Sequence, residues 1–213
     1  MEQLILDTAY QWFTTQGVQS FTMDDIASRL GMSKKTLYRY FVSRQELVEK
    51  CANRLSSDYE AAMVIVDEKP VDSLRKLLGY IGTVLNYCKK INPVFFSDLR
   101  RHYPVQWVEL NKSMENTIGS RIIRTLETGI QEGLFRGNLH PQLVIAIWQQ
   151  HLATDFEFAS RLTNDYSKDE VFRQALYLFL YGVVTPAAIP SLEEELNSFT
   201  NNPQEQTQLH THQ

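Results

Sequence analysis

The stretch Thr22-Met-Asp-Asp-Ile-Ala-Ser-Arg-Leu-Gly-Met-Ser-Lys-Lys-Thr-Leu-Tyr-Arg-Tyr-Phe41 predicts two short helices joined by a glycine turn. Thr22 and Asp25 have the spacing at which a hydroxyl and a carboxylate begin a helix. Gly31 can adopt the positive φ that ends this helix, and Ser33 can cap the next one. Apolar residues recur at helical spacing in both halves, so each helix has one buried face. The stretch is therefore typical of a helix-turn-helix.

The exposed face of the second helix carries side chains that suit a nucleic acid. If Leu37 and Phe41 face inward, the ~100° per residue of an α-helix sorts the remaining side chains by face. On or near the opposite side lie Lys35, Thr36 and Arg39, and on the flanks lie Lys34, Tyr38 and Tyr40. Arg and Lys donate to guanine edges or phosphates, Thr contacts base edges, and tyrosine hydroxyls donate to phosphate oxygens.

The local charge agrees with this interpretation. No carboxylate occurs from Ile26 to Gln45, a range with five cationic residues: Arg29, Lys34, Lys35, Arg39 and Arg44. Basic residues on an exposed helix are often only a solvated surface, and the patch alone leaves that alternative open. Because the caps, the glycine and the carboxylate-free range are in register, DNA binding is the leading interpretation.

A longer pattern surrounds this stretch. It comprises Leu4-Ile-Leu-Asp-Thr-Ala9, Phe21-Thr-Met-Asp-Asp-Ile-Ala27, Leu30-Gly-Met-Ser-Lys-Lys-Thr-Leu-Tyr-Arg-Tyr-Phe41 and Ser43-Arg-Gln-Glu-Leu47, with Phe13 and Gly17 between the first two. Residues 4–47 thereby resemble the DNA-binding domain of the tetracycline-repressor (TetR) family. The resemblance implies that a divergent all-helical domain follows, which binds an inducer and forms a dimer.

The resemblance also implies roles for individual residues. Thr22 would contact a phosphate at the N-terminus of its helix, where free amides and the helix dipole favour an anion. Positions that reach base edges or adjacent phosphates correspond to Lys34, Lys35, Thr36 and Arg39, and backbone-contacting positions correspond to Tyr38, Tyr40 and Arg44. Many members carry a basic arm before the first helix, whereas this chain begins Met1-Glu2-Gln3, which argues against a minor-groove contribution.

Composition sets the broad class of the protein. A chain of 213 residues, 43% hydrophobic and 22% charged, is typical of a globular protein with one small and one medium domain. Residues 1–54 contain 7 Lys or Arg against 6 Asp or Glu, whereas the remainder contains 14 against 19. The acidic body would repel DNA and favour docking through the basic end. No apolar run reaches the ~18 residues of a membrane span, so we expect no membrane partner and a cytoplasmic location.

Helix signals are abundant and strand signals are absent, which predicts an all-α chain of about nine helices. We expect a helix-turn-helix DNA-binding domain at 1–47, a helical effector-binding and dimerisation domain at 48–190 and a polar, disordered tail at 191–213. Ser43 and Glu46 form a capping box that begins a fourth helix running towards Val66. This helix would join the two domains.

Two later helices, after Pro141 and after Ser167, are apolar on more than one side and so need two packing partners. An intersubunit four-helix bundle would supply them, as the resemblance also implies. The candidate interface residues are Ile147, His151, Phe158, Phe172, Leu176, Phe179 and Val183. The alternative of burial within the monomer stays open. A two-fold dimer would read half-sites ~34–36 Å apart on a near-palindromic operator.

The middle of the chain carries more aromatic surface than a minimal core needs. An apolar pocket with a few polar groups would account for it and would bind a small apolar or aromatic effector. The candidate pocket residues are Tyr80, Tyr87, Phe95, Phe96, Leu99, Trp107, Met114, Ile118 and Trp148. Aromatic residues at helical spacing belong more often to an ordinary core than to a pocket, and the core is the alternative for each of them.

Motifs for catalysis are missing, since the chain has no GxGxxG, P-loop, HExxH or CxxC sequence. The scattered histidines predict no metal site, and we expect no cofactor. The sequence thus predicts a dimeric repressor that a small molecule releases from its operator by a population shift. One alternative is a DNA-binding regulator without a small-molecule ligand, controlled by a protein partner or acting constitutively. The other is an enzyme or carrier with an accidental helix-turn-helix.

Overall fold

The computed structural model describes residues 1–148 and 168–201, and within them it confirms the all-α prediction. Their only β feature is an isolated antiparallel bridge between Phe135 and Val184. Short 3-10 turns occupy Val18–Ser20 and Pro186–Ala188. The helices are α1 (Glu2–Gln16), α2 (Met23–Arg29), α3 (Lys34–Tyr40), α4 (Arg44–Asp67), α5 (Ser73–Lys90), α6 (Pro93–His102), α7 (Pro104–Gln131), α8 (helical over 141–148), α9 (Lys168–Val183) and α10 (Ile189–Asn201).

The first compact unit of the chain consists of Met1–Glu68 and Ile81–Thr117. Its core contains the apolar stripe of α1 and residues from α2, α3 and α4. Phe95 and Leu99 of α6 are fully buried in the same core. Helix α6 therefore closes a core that the N-terminal helices leave incomplete.

Polar contacts attach α6 to the end of α1 and the turn after it. The backbone N–H of Asn92 donates to the Thr14 carbonyl at 2.8 Å, and that of Gln19 donates to the Asp98 carboxylate at 2.8 Å. Gly17 has φ 93° and lies so close to α6 that a Cβ atom there would be 2.6 Å from Val94 Cγ1. Glycine is required at this position both for the backbone angle and for the close approach.

The second compact unit consists of Lys69–Tyr80 and Ile118–Gln213, as far as the structure describes them. After α7 the chain turns, and Phe135 is buried against Gly129, where a Cβ atom would lie 2.2 Å from the ring. Arg136 then donates hydrogen bonds to backbone carbonyl groups at and just after the end of α9. Its backbone N–H donates to Val183 at 2.9 Å, and its guanidinium donates to Val184 and Tyr181 at 2.9 and 3.1 Å.

The end of the described chain differs from the expected polar tail at 191–213. Residues 189–201 form α10, in which Leu192 and Leu196 are buried one turn apart. Glu195, between them in sequence, pairs with Arg75 at 2.7 Å. Apolar residues at i and i+4 give this helix a buried face, so the disorder prediction is wrong for 191–201. The rest of the predicted tail, 202–213, lies outside the described residues.

Candidate nucleic-acid interface

Helices α2 and α3 begin with the caps that the sequence predicts. The Asp25 N–H donates to Thr22 Oγ1 at 3.2 Å, and the Thr22 N–H donates to the Asp25 carboxylate at 2.7 Å, which forms a reciprocal capping box. Ser33 Oγ accepts from the Thr36 N–H at 3.1 Å, and Gly31 has φ 64° in the turn between the helices. Local capping therefore fixes where both helices begin.

The Thr22 hydroxyl is already engaged by this cap, because it also donates to Asp25 Oδ2 at 2.6 Å. The hydrogen bonds from Thr22 lower the pKa of Asp25, so this carboxylate is ionised at neutral pH. A negative charge therefore already occupies the N-terminus of α2, the place where the resemblance implied a phosphate.

Helix α3 presents the predicted side chains on its exposed surface. Leu37 and Phe41 are buried in the core of the first unit, which fixes the rotation of the helix about its axis. The half-buried Thr36 places its hydroxyl 2.8 Å from Ser33 Oγ. The exposed side chains of α3 are Lys34, Lys35, Tyr38, Arg39 and Tyr40.

The cationic side chains of α3 differ in whether they form an ion pair with a carboxylate. Lys34 Nζ lies 3.0 Å from the Asp24 carboxylate of α2, and this hydrogen bond raises the pKa of Lys34. Lys35 and Arg39 form no ion pair within the described part of the chain. They project from the same side one turn apart, so their charge is fully available to an anion.

Arg44, a predicted phosphate-contacting residue, is half-buried and makes a contact within the first unit. Its Nη2 donates to the Val18 carbonyl at 2.5 Å, and its buried Nε has no hydrogen-bond partner among the described residues. The guanidinium thus ties the start of α4 to the 3-10 turn before α2. No local pattern signals this contact, because its partners are 26 residues apart.

The comparisons with known proteins agree with this geometry. Residues 5–51 match the profile of the bacterial regulatory proteins of the tetR family. The HTH-type transcriptional regulator YvkB of Bacillus subtilis is 30% identical over 135 residues, which cover 57% of this chain and 69% of YvkB. This chain belongs to the TetR family. The family assignment makes it a DNA-binding transcriptional regulator and not an enzyme.

Two further similarities extend over most of this TetR-family chain. The HTH-type transcriptional regulator YvaF of Bacillus subtilis is 21% identical over 86% of this chain and 95% of its own length. A crystal structure of a Saccharomonospora viridis protein in complex with choline superposes with a TM-score of 0.72 at 16% identity, covering 86% of this chain and 97% of that one. At these identities the likeness shows a shared fold. Among the described residues, no helix is long and apolar enough to cross a bilayer.

The candidate effector residues of this TetR-family chain are divided between the two units. Tyr80, Ile118 and Trp148 belong to the second unit. The remaining six belong to the first: Tyr87, Phe95, Phe96, Leu99, Trp107 and Met114. Phe95 and Leu99 expose no surface, because α6 inserts them into the core it shares with α1. For these two residues the structure supports the core alternative.

The candidate dimer residues also take different positions. Leu176 and Val183 are only 9% and 4% exposed within a single protomer, and the Phe179 ring packs 4.3 Å from that of Trp148. Ile147, in contrast, is 60% exposed. His151, Phe158 and the side chain of Phe172 lie outside the described residues.

Two apolar side chains on α8 and α9 that are not in the predicted set are also exposed. Leu143, one turn before Ile147, is 60% exposed, and Leu178 of α9 is 78% exposed. The sequence shows that α8 and α9 are apolar on two sides but does not show which side packs within the protomer. The predicted set therefore includes Leu176 and Val183, which are buried within the protomer, and does not include the exposed Leu143 and Leu178.

Proposed function

We propose that this chain is a homodimeric repressor that reads a near-palindromic operator with α3 and is released from it by a small apolar or aromatic molecule. The main support is the exposed, unpaired charge of Lys35 and Arg39 on a helix whose opposite face is fixed by Leu37 and Phe41. As a regulator of transcription, the protein would act in the cytoplasm, where its DNA template is.

Each predicted DNA-contacting residue of α3 has a role that suits its chemistry. Arg39 and Lys35 donate to guanine edges, and one such bidentate contact discriminates a base by about 1–3 kcal/mol. Thr36 contacts a base edge between them, and the hydroxyls of Tyr38 and Tyr40 donate to phosphates on either side. Two predicted contacts have smaller roles here: Lys34 shares its charge with Asp24, and Arg44 positions the turn before α2.

Dimerisation would cover the exposed leucine and isoleucine side chains of the second unit. Leu143, Ile147 and Leu178 expose large apolar surfaces to solvent in the single protomer. An isologous interface buries the same patch on both subunits, so these residues suit contact with a second copy. The two-fold axis would then present two α3 helices to half-sites about 34–36 Å apart.

Release by an effector would use the second unit. Tyr80 and Trp148 are both buried there and offer aromatic surface with one hydroxyl and one ring N–H. The choline complex of the Saccharomonospora viridis protein is an example of a small molecule bound by a protein of this fold. An effector can bind one conformation, which does not bind DNA, more tightly than the conformation that does. The effector then lowers operator affinity by at most the ratio of its own affinities for these two conformations.

The direct test is selection of bound duplexes from a random DNA pool by the full-length protein at physiological salt. Our proposal expects enrichment of an inverted repeat with half-site centres one helical turn apart. Enrichment of a single, asymmetric half-site would contradict the dimeric reader. Binding that enriches no sequence would contradict operator recognition altogether.

A further inference from the structure

Helix α6 runs alongside the segment that leads into α2. Near its start, Val94 lies against Gly17, and one turn later the Asp98 carboxylate accepts the hydrogen bond from the Gln19 N–H. The contacts thus advance towards α2 as α6 advances towards its C-terminus. The next turn of α6 carries Arg101, which therefore lies at the level of the residues that follow Gln19.

The hydrogen bond between Asp98 and Gln19 limits the distance from Arg101 to the start of α2. Arg101 is three residues beyond Asp98, about 4.5 Å along the helix axis at 1.5 Å per residue. Thr22, the N-cap of α2, is three residues beyond Gln19, a length of chain that spans at most about 11 Å. The last turn of α6 is therefore close to the N-terminus of α2, within the first unit.

Two neighbouring arginines of α6 point in different directions. Successive side chains of a helix are rotated by about 100°, so Arg101 projects about 60° from the direction of Asp98 and Arg100 about 160° from it. Both side chains are exposed. Since Asp98 faces the turn before α2, Arg101 lies on the side of α6 next to α2, and Arg100 lies on the opposite side.

The charges at the start of α2 leave a place for a cation from outside the helix-turn-helix. The first turn of α2 carries Asp24, which pairs with Lys34, and Asp25, whose lowered pKa keeps it ionised. These carboxylates repel a DNA phosphate that approaches this end of α2. The Arg101 guanidinium forms no ion pair with any residue that the structure describes, so its charge is available to such a phosphate.

We propose that Arg101 of α6 contacts a DNA phosphate beside the N-terminus of α2, so that the DNA-binding surface extends beyond the helix-turn-helix. The inference rests on the proposed function in one respect, because α3 sets how the DNA lies against the first unit. The added contact is continuous with the candidate interface and complementary in charge to the DNA backbone. It increases affinity without reading sequence, since phosphates carry no base information.

The last turn of α6 also has a simpler role that the test must separate. Cationic side chains near the C-terminus of a helix stabilise it through the helix dipole. Arg100 and Arg101 share that effect, because both lie in this last turn. Only Arg101 lies on the side of α2, so a comparison of the two isolates the contact with DNA.

The test measures how DNA affinity depends on salt for full-length wild type, Arg101→Gln and the matched control Arg100→Gln. Loss of one phosphate contact makes the slope of log K against log salt concentration less negative by about 0.9. Between 50 and 200 mM salt, wild-type affinity should therefore fall about threefold more than that of Arg101→Gln. Arg100→Gln should keep the wild-type slope. The ratio of affinities for the selected operator and a scrambled duplex should be the same in all three proteins.

A charge-conserving variant shows whether the slope reports the contact or the fold. Arg101→Lys keeps a cation that can reach a phosphate, and we expect it to retain the wild-type slope. Equal slopes for Arg101→Gln and Arg100→Gln would overturn the inference. A slope in Arg101→Lys as shallow as in Arg101→Gln would also overturn it, because charge would then not be the cause.

The same measurement distinguishes this inference from the proposed function. The salt slope is also measured on the scrambled duplex, where no operator is needed. If selection yields no operator sequence, the proposed function fails, and the slopes on the scrambled duplex still decide the role of Arg101. If an operator is found and Arg101→Gln keeps the wild-type slope on both duplexes, this inference alone fails.

Discussion

The Asp98 carboxylate of α6 accepts a hydrogen bond from the backbone N–H of Gln19 at 2.8 Å, in the 3-10 turn that precedes α2. The contact spans 79 residues and connects the helix-turn-helix to a helix well outside it. Together with buried Phe95 and Leu99, it makes α6 part of the DNA-binding unit in structural terms.

Loss of this contact should destabilise the first unit. A hydrogen bond to a charged group contributes more than a neutral one, so we expect Asp98→Ala to lower the free energy of unfolding by about 1–2 kcal/mol. Asp98→Asn is the control, because its amide oxygen can still accept from Gln19. Chemical denaturation of the two variants measures the difference, and equal stabilities would show that the hydrogen bond contributes nothing.

The pair between Lys34 and Asp24 should limit the affinity for DNA. Asp24→Asn removes a carboxylate that competes with phosphates for the Lys34 ammonium. We expect tighter non-specific binding of DNA. The slope of the logarithm of the association constant against the logarithm of the salt concentration should become more negative by up to about 0.9. Glu49→Gln, a change at an exposed carboxylate of α4, is the control. Unchanged or weaker binding by Asp24→Asn would count against a DNA-facing Lys34.

The exposed apolar residues of α8 and α9 should form the dimer contact. Ile147→Glu or Leu178→Glu would place a charge in a buried interface, so we expect a monomeric protein with an unchanged helical spectrum. Val105→Glu is a matched control, since Val105 is also 60% exposed but lies on α7. Light scattering gives the mass of each variant. Dimers in both test variants would place the interface elsewhere.

The last turns of α7 should tolerate no side chain at Gly129, against which Phe135 packs. A methyl group there would meet the Phe135 ring, and such overpacking costs about 1–3 kcal/mol of folding free energy. Gly137→Ala provides the control, because a Cβ atom at Gly137 has no neighbour within 4 Å. Thermal unfolding of the two variants checks this prediction. Equal melting temperatures would mean that the turn relaxes without cost.

Local signals made the helix-turn-helix predictable. The caps at Thr22 and Ser33 and the turn at Gly31 act within three or four residues, and the inward position of Leu37 follows from helical periodicity alone. The sequence therefore indicates which residues of α3 face outward before any tertiary contact is known.

Residues whose positions depend on distant contacts were not predictable in this way. The bond from Arg44 to Val18 and the burial of Phe95 beside α1 both depend on packing between segments far apart in sequence. Periodicity shows that α9 has two apolar faces, but only the structure shows that Leu176 faces the protomer core and Leu178 faces solvent. When both faces of a helix are apolar, the sequence does not indicate which face packs within the protomer.

The central claim is that Lys35 and Arg39 read the base sequence. The most direct measurement is the ratio of affinities for the selected operator and for a scrambled duplex of equal length, at one physiological salt concentration. For Lys35→Ala/Arg39→Ala we predict that this ratio falls by about tenfold or more while weak, salt-sensitive binding remains. Lys112→Ala, an exposed cation on α7, should leave the ratio unchanged. A double variant that retains the wild-type ratio would contradict the assignment of α3 as the reading helix.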